Sequence, residues 1–446
     1  DALQIALNHP EYFVIGARHD LVTRPILGWW TRKMAVQPVV RKAELLRGGC
    51  TEEEANFLNG RSLMALASGI SHGYGCVLFP EGTSHNNSYM IRFRTGPMRT
   101  VLAASALAKS TGKELPVLIP MGLHFRTREY FRTDVWVEYG EPIQIEDGDV
   151  PQNLVDAVST GSWSEPPAES VFKLRDKLRD DLVPLSPNTH SWDEYRGLLL
   201  LGHVKGRMEH NPPKSWRAEV EQARSLRNKY NSGSKSMNVD DLQPNKITET
   251  LVAKSEQAAR ILHENGMDGR DLNFDSTSLA KPEVGKLPLA TIRIGLFIAL
   301  LPVFLISLLP QIILGRILGD STDEGIDART SYQFLAAMFG SILIWPISST
   351  IIVALLYWQA GTIEHAIHIN WIEAFGMSQF SMGLSIFMLW LAMFPVSLFT
   401  GQLFSLVWDD YVYLRGYLRK LKMSTQTRNE LFQIITEMKQ ELLNAK

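Results

Sequence analysis

Cys76-Val77-Leu78-Phe79-Pro80-Glu81-Gly82-Thr83-Ser84-His85 is the stretch on which the reading of this 446-residue chain turns. Four apolar residues, 76–79, lie between Gly75 and Pro80 and predict a short strand buried on both faces. The polar turn after them then stands at the strand's carboxyl end, where open α/β sheets bind ligands. Gly82 lets backbone approach a ligand closely, Thr83 and Ser84 offer hydroxyls, and Glu81 offers an acceptor. On these residues alone the turn is either a binding site or an ordinary polar loop.

Working outward, residues 12–15, 36–40, 117–119 and 135–137 read as further strands. Residues 51–68 and 98–109 read as helices, the first opened by Thr51 and three Glu, the second rich in Ala and Leu. This alternation predicts an α/β domain, a mixed sheet covered by helices, over residues 1–150. Residues 151–286 read as a charged helical connector. Val171, Leu174, Leu178 and Leu182 form one apolar face, and a helix ends at Asn265-Gly266. Its charges read as a solvated face.

Residues 294–315, 334–358 and 380–408 contain no Lys, Arg, Asp or Glu. Each is long enough to cross roughly 30 Å of hydrocarbon. Three such stretches in succession argue for an α-helical membrane domain, 287–410, rather than buried core helices. Residues 359–379 carry no Lys or Arg, whereas Arg415, Arg419, Lys420 and Lys422 follow the last stretch. The positive-inside bias therefore places the C-terminus in the cytosol and the 359–379 loop outside. Lys281, Lys286 and Arg293 precede residues 294–315 and Arg316 follows, so both ends prefer the same side. Pro302 and Pro310 each remove a backbone donor. A re-entrant or interfacial hairpin over 294–315, with true spans at 334–358 and 380–408, satisfies both facts. Residues 411–446 end in an amphipathic helix. Thr427 and Glu430 are spaced as a capping box, and Leu431, Ile434, Ile435, Met438 and Leu442 form a stripe.

Composition excludes several classes. Lys and Arg number 45 against 47 Asp and Glu, a net charge of −2, which argues against a nucleic-acid binder. Cys50 and Cys76 are too few for a disulfide framework. Positive charge is local: residues 89–132 hold eight Lys/Arg against two Asp/Glu, and residues 16–47 hold seven against two. Such a surplus suits a phosphorylated ligand or an anionic membrane surface, or is scattered surface charge.

The turn at 79–85 resembles the Phe-Pro-Glu-Gly-Thr signature of the glycerolphosphate and lysophosphatidate acyltransferases. Other elements follow in that family's order. Gly28-Trp29 with Val36-Gln37-Pro38-Val39-Val40-Arg41 resembles its second motif, and Val117-Leu118-Ile119-Pro120-Met121-Gly122 its fourth. Val137-Glu138-Tyr139-Gly140-Glu141-Pro142-Ile143 resembles its closing strand. Thr83-Ser84-His85, the Gly122-Leu123-His124 run and a C-terminal membrane domain are closest to the fungal-type glycerol-3-phosphate/dihydroxyacetone-phosphate acyltransferases.

The resemblance implies a membrane-bound O-acyltransferase moving an acyl chain from acyl-CoA to glycerol-3-phosphate or dihydroxyacetone phosphate, the first step of glycerolipid synthesis. Acyl-CoA is then a co-substrate, and neither cofactor nor metal is needed. The first motif, His-x-x-x-x-Asp, is not intact ahead of Arg41. The expectation is that Asp1 is its Asp and that the catalytic His lies upstream. Arg41 and the turn Phe79, Pro80, Glu81, Gly82, Thr83, Ser84 and His85 would bind the acceptor. Arg92, Arg94 and Arg126 would meet the phosphates of coenzyme A, and Pro120 would line the acyl path. The catalytic domain would face the cytosol, at the endoplasmic reticulum in a eukaryote or the cytoplasmic membrane in a bacterium. The competing readings are a lysophosphatidate or other lysophospholipid acyltransferase, and a non-catalytic lipid-binding membrane protein.

Overall fold

The computed structural model describes residues 13–19, 28–29, 33, 36–40, 51–83, 85–127, 132–230, 246–321, 326–367 and 379–444. The chain divides into two compact units. One comprises Asp1–Phe125, Val135–Arg260 and Met438–Lys446, the other Arg126–Asp134 and Ile261–Glu437.

In the first unit, β1 (Phe13–Arg18), β2 (Gln37–Val39) and β3 (Gly75–Val77) form a parallel sheet in the order β2-β1-β3. Val14 lies opposite Cys76, and Ala17 opposite Pro38. Parallel strands need a crossover, and α1 (Glu52–Ser71) carries the chain from β2 past β1 to β3. Its start is fixed by a reciprocal cap. Thr51 Oγ1 accepts from the Glu54 amide at 3.2 Å, and Glu54 Oε2 accepts from the Thr51 amide at 2.9 Å. Gly69 brings α1 close to the sheet, since a Cβ there would sit 2.5 Å from a Val14 methyl carbon.

After β3 comes the 79–85 turn, then α2 (Gly96–Ser110). Helix α2 is buried on most of its circumference, which explains its Ala-rich sequence. It packs with α3 (Gln152–Ser159) and α4 (Ala168–Leu182), where Met98, Leu102, Ile143, Val150, Val158, Leu174 and Leu178 share one core. The α4 stripe is the one read from the sequence. Strands β4 (Met121–Phe125) and β5 (Val135–Tyr139) form a separate antiparallel pair, with Leu123 opposite Val137. Among the described residues the sheet is thus two small sheets, not a single mixed one. The expected strand at 117–119 contributes a single bridge, Leu118 to Ile143, because Val117 and Ile119 are exposed. Helices α5 (Trp192–Met208), α6 (Trp216–Tyr230) and α7 (Lys246–Glu264) follow. As expected, α7 closes at Asn265-Gly266, with Gly266 at a φ of 66°.

The second unit holds α8 (Leu287–Ala299), a short turn Leu301–Val303, a π-helical stretch Phe304–Leu308, α9 (Leu309–Asp320), α10 (Ile326–Ile367) and α11 (Gln379–Lys422). Three helical segments among the described residues are long and apolar enough to cross a membrane: Leu301–Asp320, Tyr332–Gly361 and Met382–Lys422. The path from α8 to α9 reverses against its neighbours. Arg293 pairs with Asp410 at 3.2 Å, and Phe297 meets Phe404. Further on, Ser348 donates to the Ile306 carbonyl at 2.8 Å, Gln311 reaches the Ala337 carbonyl, and Gly315 packs on Gln333 and Ala336. The chain therefore descends along α11 and returns along α10, turning where Pro302 and the π-helical stretch break the regular bonding.

Two local expectations change. Helix α10 continues through 359–367 although hydropathy falls there. The last helix, α12 (Thr425–Asn444), is capped by Ser424 rather than by a Thr427/Glu430 box. Ser424 Oγ accepts from the Thr427 amide at 3.1 Å, because Thr427 is already the third helical residue. Its stripe, with Leu431, Ile435 and Met438 fully covered, is buried within the chain itself.

Candidate active site

Strand β3 ends at Val77, and two residues later the chain turns. The Gly82 amide donates to the Phe79 carbonyl at 3.2 Å, and the Arg94 amide donates to the Pro80 carbonyl at 2.6 Å. These bonds close 79–94 into a loop whose two ends lie side by side. Gly82 has a φ of 67°, and a Cβ there would lie 2.9 Å from Arg94 Cγ, so the turn requires glycine twice over.

Glu81 holds the loop's interior. Its Oε1 accepts from His85 Nε2 at 2.8 Å and from the Ile91 amide at 2.8 Å. The Asn87 amide donates to His85 Nδ1 at 3.1 Å, which leaves the imidazole hydrogen on Nε2, the atom facing Glu81. Both side chains are about four-fifths covered, at 21% and 19% exposed. Among the described residues, Glu81 Oε2 accepts no hydrogen bond and is the acceptor the turn has left to present. The segment after the signature is tied from outside. Trp192 Nε1 donates to the Asn86 carbonyl at 2.8 Å, and Ser88 Oγ donates to the Thr189 carbonyl at 2.7 Å. Arg227 in turn holds the preceding loop through the Ser186 and Pro187 carbonyls, and its burial lowers its pKa to about 10.

The expected residues fall into three groups. Phe79, Pro80, Glu81, Gly82, Thr83, His85 and Arg94 share the turn, with Phe79, Gly82, Thr83 and Arg94 exposed on it. Arg92 is exposed on the same loop. Pro120 is buried, and its carbonyl accepts from the Gly140 amide at 2.8 Å, which ties it to the turn after β5. Asp1, Arg41 and Ser84 lie outside the described residues. The His-x-x-x-x-Asp spacing does occur at His263 and Asp268, far behind the signature. There the Asp268 carboxylate takes bonds from Arg270 Nε and Nη2, at 3.0 and 2.7 Å, and from the Arg270 amide, at 2.9 Å. Burial opposes ionisation of Asp268, but Arg270 and Arg126 outweigh it and hold the pKa at about 2, as in a structural ion pair.

Sequence reasoning missed a second polar cluster, on the β4–β5 pair. His124 and Glu138 face each other, Nε2 donating to Oε2 at 2.9 Å, and Arg224 of α6 grips Glu138 with both terminal nitrogens. Trp136 stacks on His124 at 4.8 Å, and Trp216 Nε1 donates to the His124 carbonyl. The available signal was the alternation of His124 and Glu138 with apolar neighbours, which puts two polar residues on the covered face. Burial lowers the His124 pKa and keeps the ring neutral. Burial would raise Glu138, but the Arg224 bonds and charge outweigh it and hold the carboxyl below its ordinary value.

Both shifts act in one direction on stability. A folded-state pKa below the unfolded one contributes stability above the unfolded value and loses it as pH falls through the folded value. The melting temperature of the detergent-solubilised protein is therefore expected to fall from pH 7 to pH 4. Glu138→Gln, which strands Arg224, is expected to lose about 3 kcal/mol at pH 7 and to show a flatter pH response. Parallel melting curves for the two proteins against pH would contradict this role.

The sequence of this region is similar to known proteins. Residues 1–123 match the acyltransferase family model. Glycerol-3-phosphate O-acyltransferase 2 of Saccharomyces cerevisiae is 29% identical over 151 residues, which are 34% of this chain and 19% of the yeast protein. The match thus spans about a fifth of that relative's length. No solved structure matches the chain. Residues 1–123 are thus similar to the acyltransferase family, and the chain resembles a glycerol-3-phosphate O-acyltransferase over part of its length.

Proposed function

We propose that the protein transfers an acyl chain from acyl-CoA to the free hydroxyl of glycerol-3-phosphate, or of dihydroxyacetone phosphate, to make lysophosphatidate or its keto counterpart. The observation that carries this reading is the closed turn at 79–94, with Glu81 locked through Oε1 and Oε2 left to a ligand. A general base takes the proton from the acceptor hydroxyl. The resulting oxygen attacks the thioester carbonyl carbon, the C–S bond breaks, and coenzyme A leaves as the thiol after taking a proton. Glu81 orients the acceptor hydroxyl. Arg41 and the turn hold its phosphate through charge-assisted bonds. Gly82 permits the acceptor to lie against backbone.

Membrane association follows from the three apolar helical segments, and their orientation is part of the proposal. The 287–320 path reads as a re-entrant hairpin with both ends cytosolic, supported by the pairing of Arg293 with Asp410 and of Gly315 with Gln333. A single cysteine at Ser321→Cys, on a Cys50→Ser/Cys76→Ser background, should react with an impermeant maleimide from the cytosolic side. One at Gly361→Cys should react from the opposite side. Labelling of Ser321→Cys from outside alone would sink the hairpin.

The activity is tested by incubating the membrane-embedded protein with radiolabelled acyl-CoA and either glycerol-3-phosphate or lysophosphatidate. Lysophosphatidate formed from the first acceptor is the expected product. Turnover of lysophosphatidate alone would move the reading to the second acylation. Turnover of no acceptor would leave a lipid-binding protein. Glu81→Gln keeps the shape of the turn but removes the charge from its centre, so kcat/KM is expected to drop by about a hundredfold, some 3 kcal/mol. An unchanged value would remove Glu81 from the site.

A further inference from the structure

An open groove of about 370 Å³ is lined by Arg92, Phe93, Arg175, Asp176 and Arg179. We infer that this groove is a subsite for a phosphate group carried by a substrate, with Arg175 and Arg179 of α4 as its binding residues beside Arg92. This rests on the acyl-transfer reading above and names a part of that site beyond the region the family model matches, which ends at residue 123.

Three observations support it. The groove is coupled to the signature turn through one residue. The Ile91 amide donates to Glu81 Oε1, and the Ile91 carbonyl accepts from Arg179 Nη1 at 3.3 Å. The arginines are also fixed in place. The apolar stripe of α4 is sunk in the core, so the helix cannot rotate. The Arg179 guanidinium lies 5.7 Å from the centre of the buried Phe93 ring, and Arg175 lies 4.8 Å over Phe172. Finally, the groove is lined by three guanidinium groups and one carboxylate. Arg175 and Arg179 stand one helical turn apart, a like-charge spacing that destabilises a helix, and Arg92 adds a third guanidinium. The single lining carboxylate, Asp176, is taken by Arg175 at 2.7 Å. The three guanidinium groups of the lining surround a concavity of ligand size. Guanidinium groups bind phosphate oxygens in bidentate fashion, so the chemistry selected is a phosphate ester.

Coenzyme A and the three-carbon acceptor both carry such a group, and kinetics on the full chain in nanodiscs separates them. In Arg92→Gln/Arg175→Gln, the KM of one substrate is expected to rise 5- to 20-fold with kcat within twofold. If the groove holds the donor, acyl-CoA shows the rise and acyl-dephospho-CoA, which lacks the 3′-phosphate, does not. If it holds the acceptor, glycerol-3-phosphate shows the rise with either donor. Arg175→Lys keeps the charge and should recover most of the lost affinity, which a merely structural role would not predict. Unchanged KM values for both substrates would overturn the inference. Calorimetric titration with coenzyme A and with glycerol-3-phosphate reads binding without turnover. A protein that binds either ligand through these arginines yet transfers no acyl group would refute the activity and leave the groove standing. Titration curves identical for the variant and the wild type would refute the groove alone.

Discussion

A single carboxylate oxygen, Glu81 Oε1, joins the two sides of the loop that follows β3. It takes one hydrogen from the His85 ring and one from the Ile91 backbone, six residues apart in sequence. The arrangement of the surrounding loop depends on this junction. Gly82 must adopt a positive φ so that Glu81 can turn inward, and Arg94 then folds back over Gly82. His85 is held as one tautomer because Asn87 occupies its other nitrogen. A largely covered carboxylate with two donors on one oxygen is well defined in direction, and a site that must orient a small hydroxyl needs such definition.

The sheet and helices place this junction without taking part in it. The parallel order β2-β1-β3 requires a helical crossover, and the Thr51 cap starts that helix where the crossover must begin. The strand on the far side of the crossover then delivers its carboxyl end to the turn. Outside the family-matched region, α4 and the 186–192 loop brace the same segment through Arg179, Thr189 and Trp192. Residues 151–260, most of the segment that reads as a connector in sequence, are thus packed in the same unit as the turn.

What the sequence made legible follows the range of the interactions. The turn at 79–85 is local, and its Pro-Glu-Gly-Thr chemistry is written in consecutive residues. The stripe Val171, Leu174, Leu178 and Leu182 is periodic, and its burial followed. The break near Pro302 was legible because a proline removes a backbone donor. Long-range pairs were not. Nothing near His124 announces Arg224, and nothing near Arg92 announces Arg175, because each pair meets only after helices dock. The Thr427 cap failed for a different reason. Ser424 and Thr427 both fit the cap pattern, and only the geometry of the first turn chooses between them. The sheet was overestimated because β-branched runs such as 117–119 also suit an extended edge with a single bridge.

The central claim is that the loop closed by Glu81 receives the substrates. Hydrogen–deuterium exchange of the full chain in nanodiscs, read on peptides covering residues 79–94, tests it directly. Addition of glycerol-3-phosphate together with coenzyme A should slow exchange across this segment, the Ile91 amide included. Exchange over 79–94 that is unchanged by both ligands, while another part of the chain becomes protected, would contradict the account.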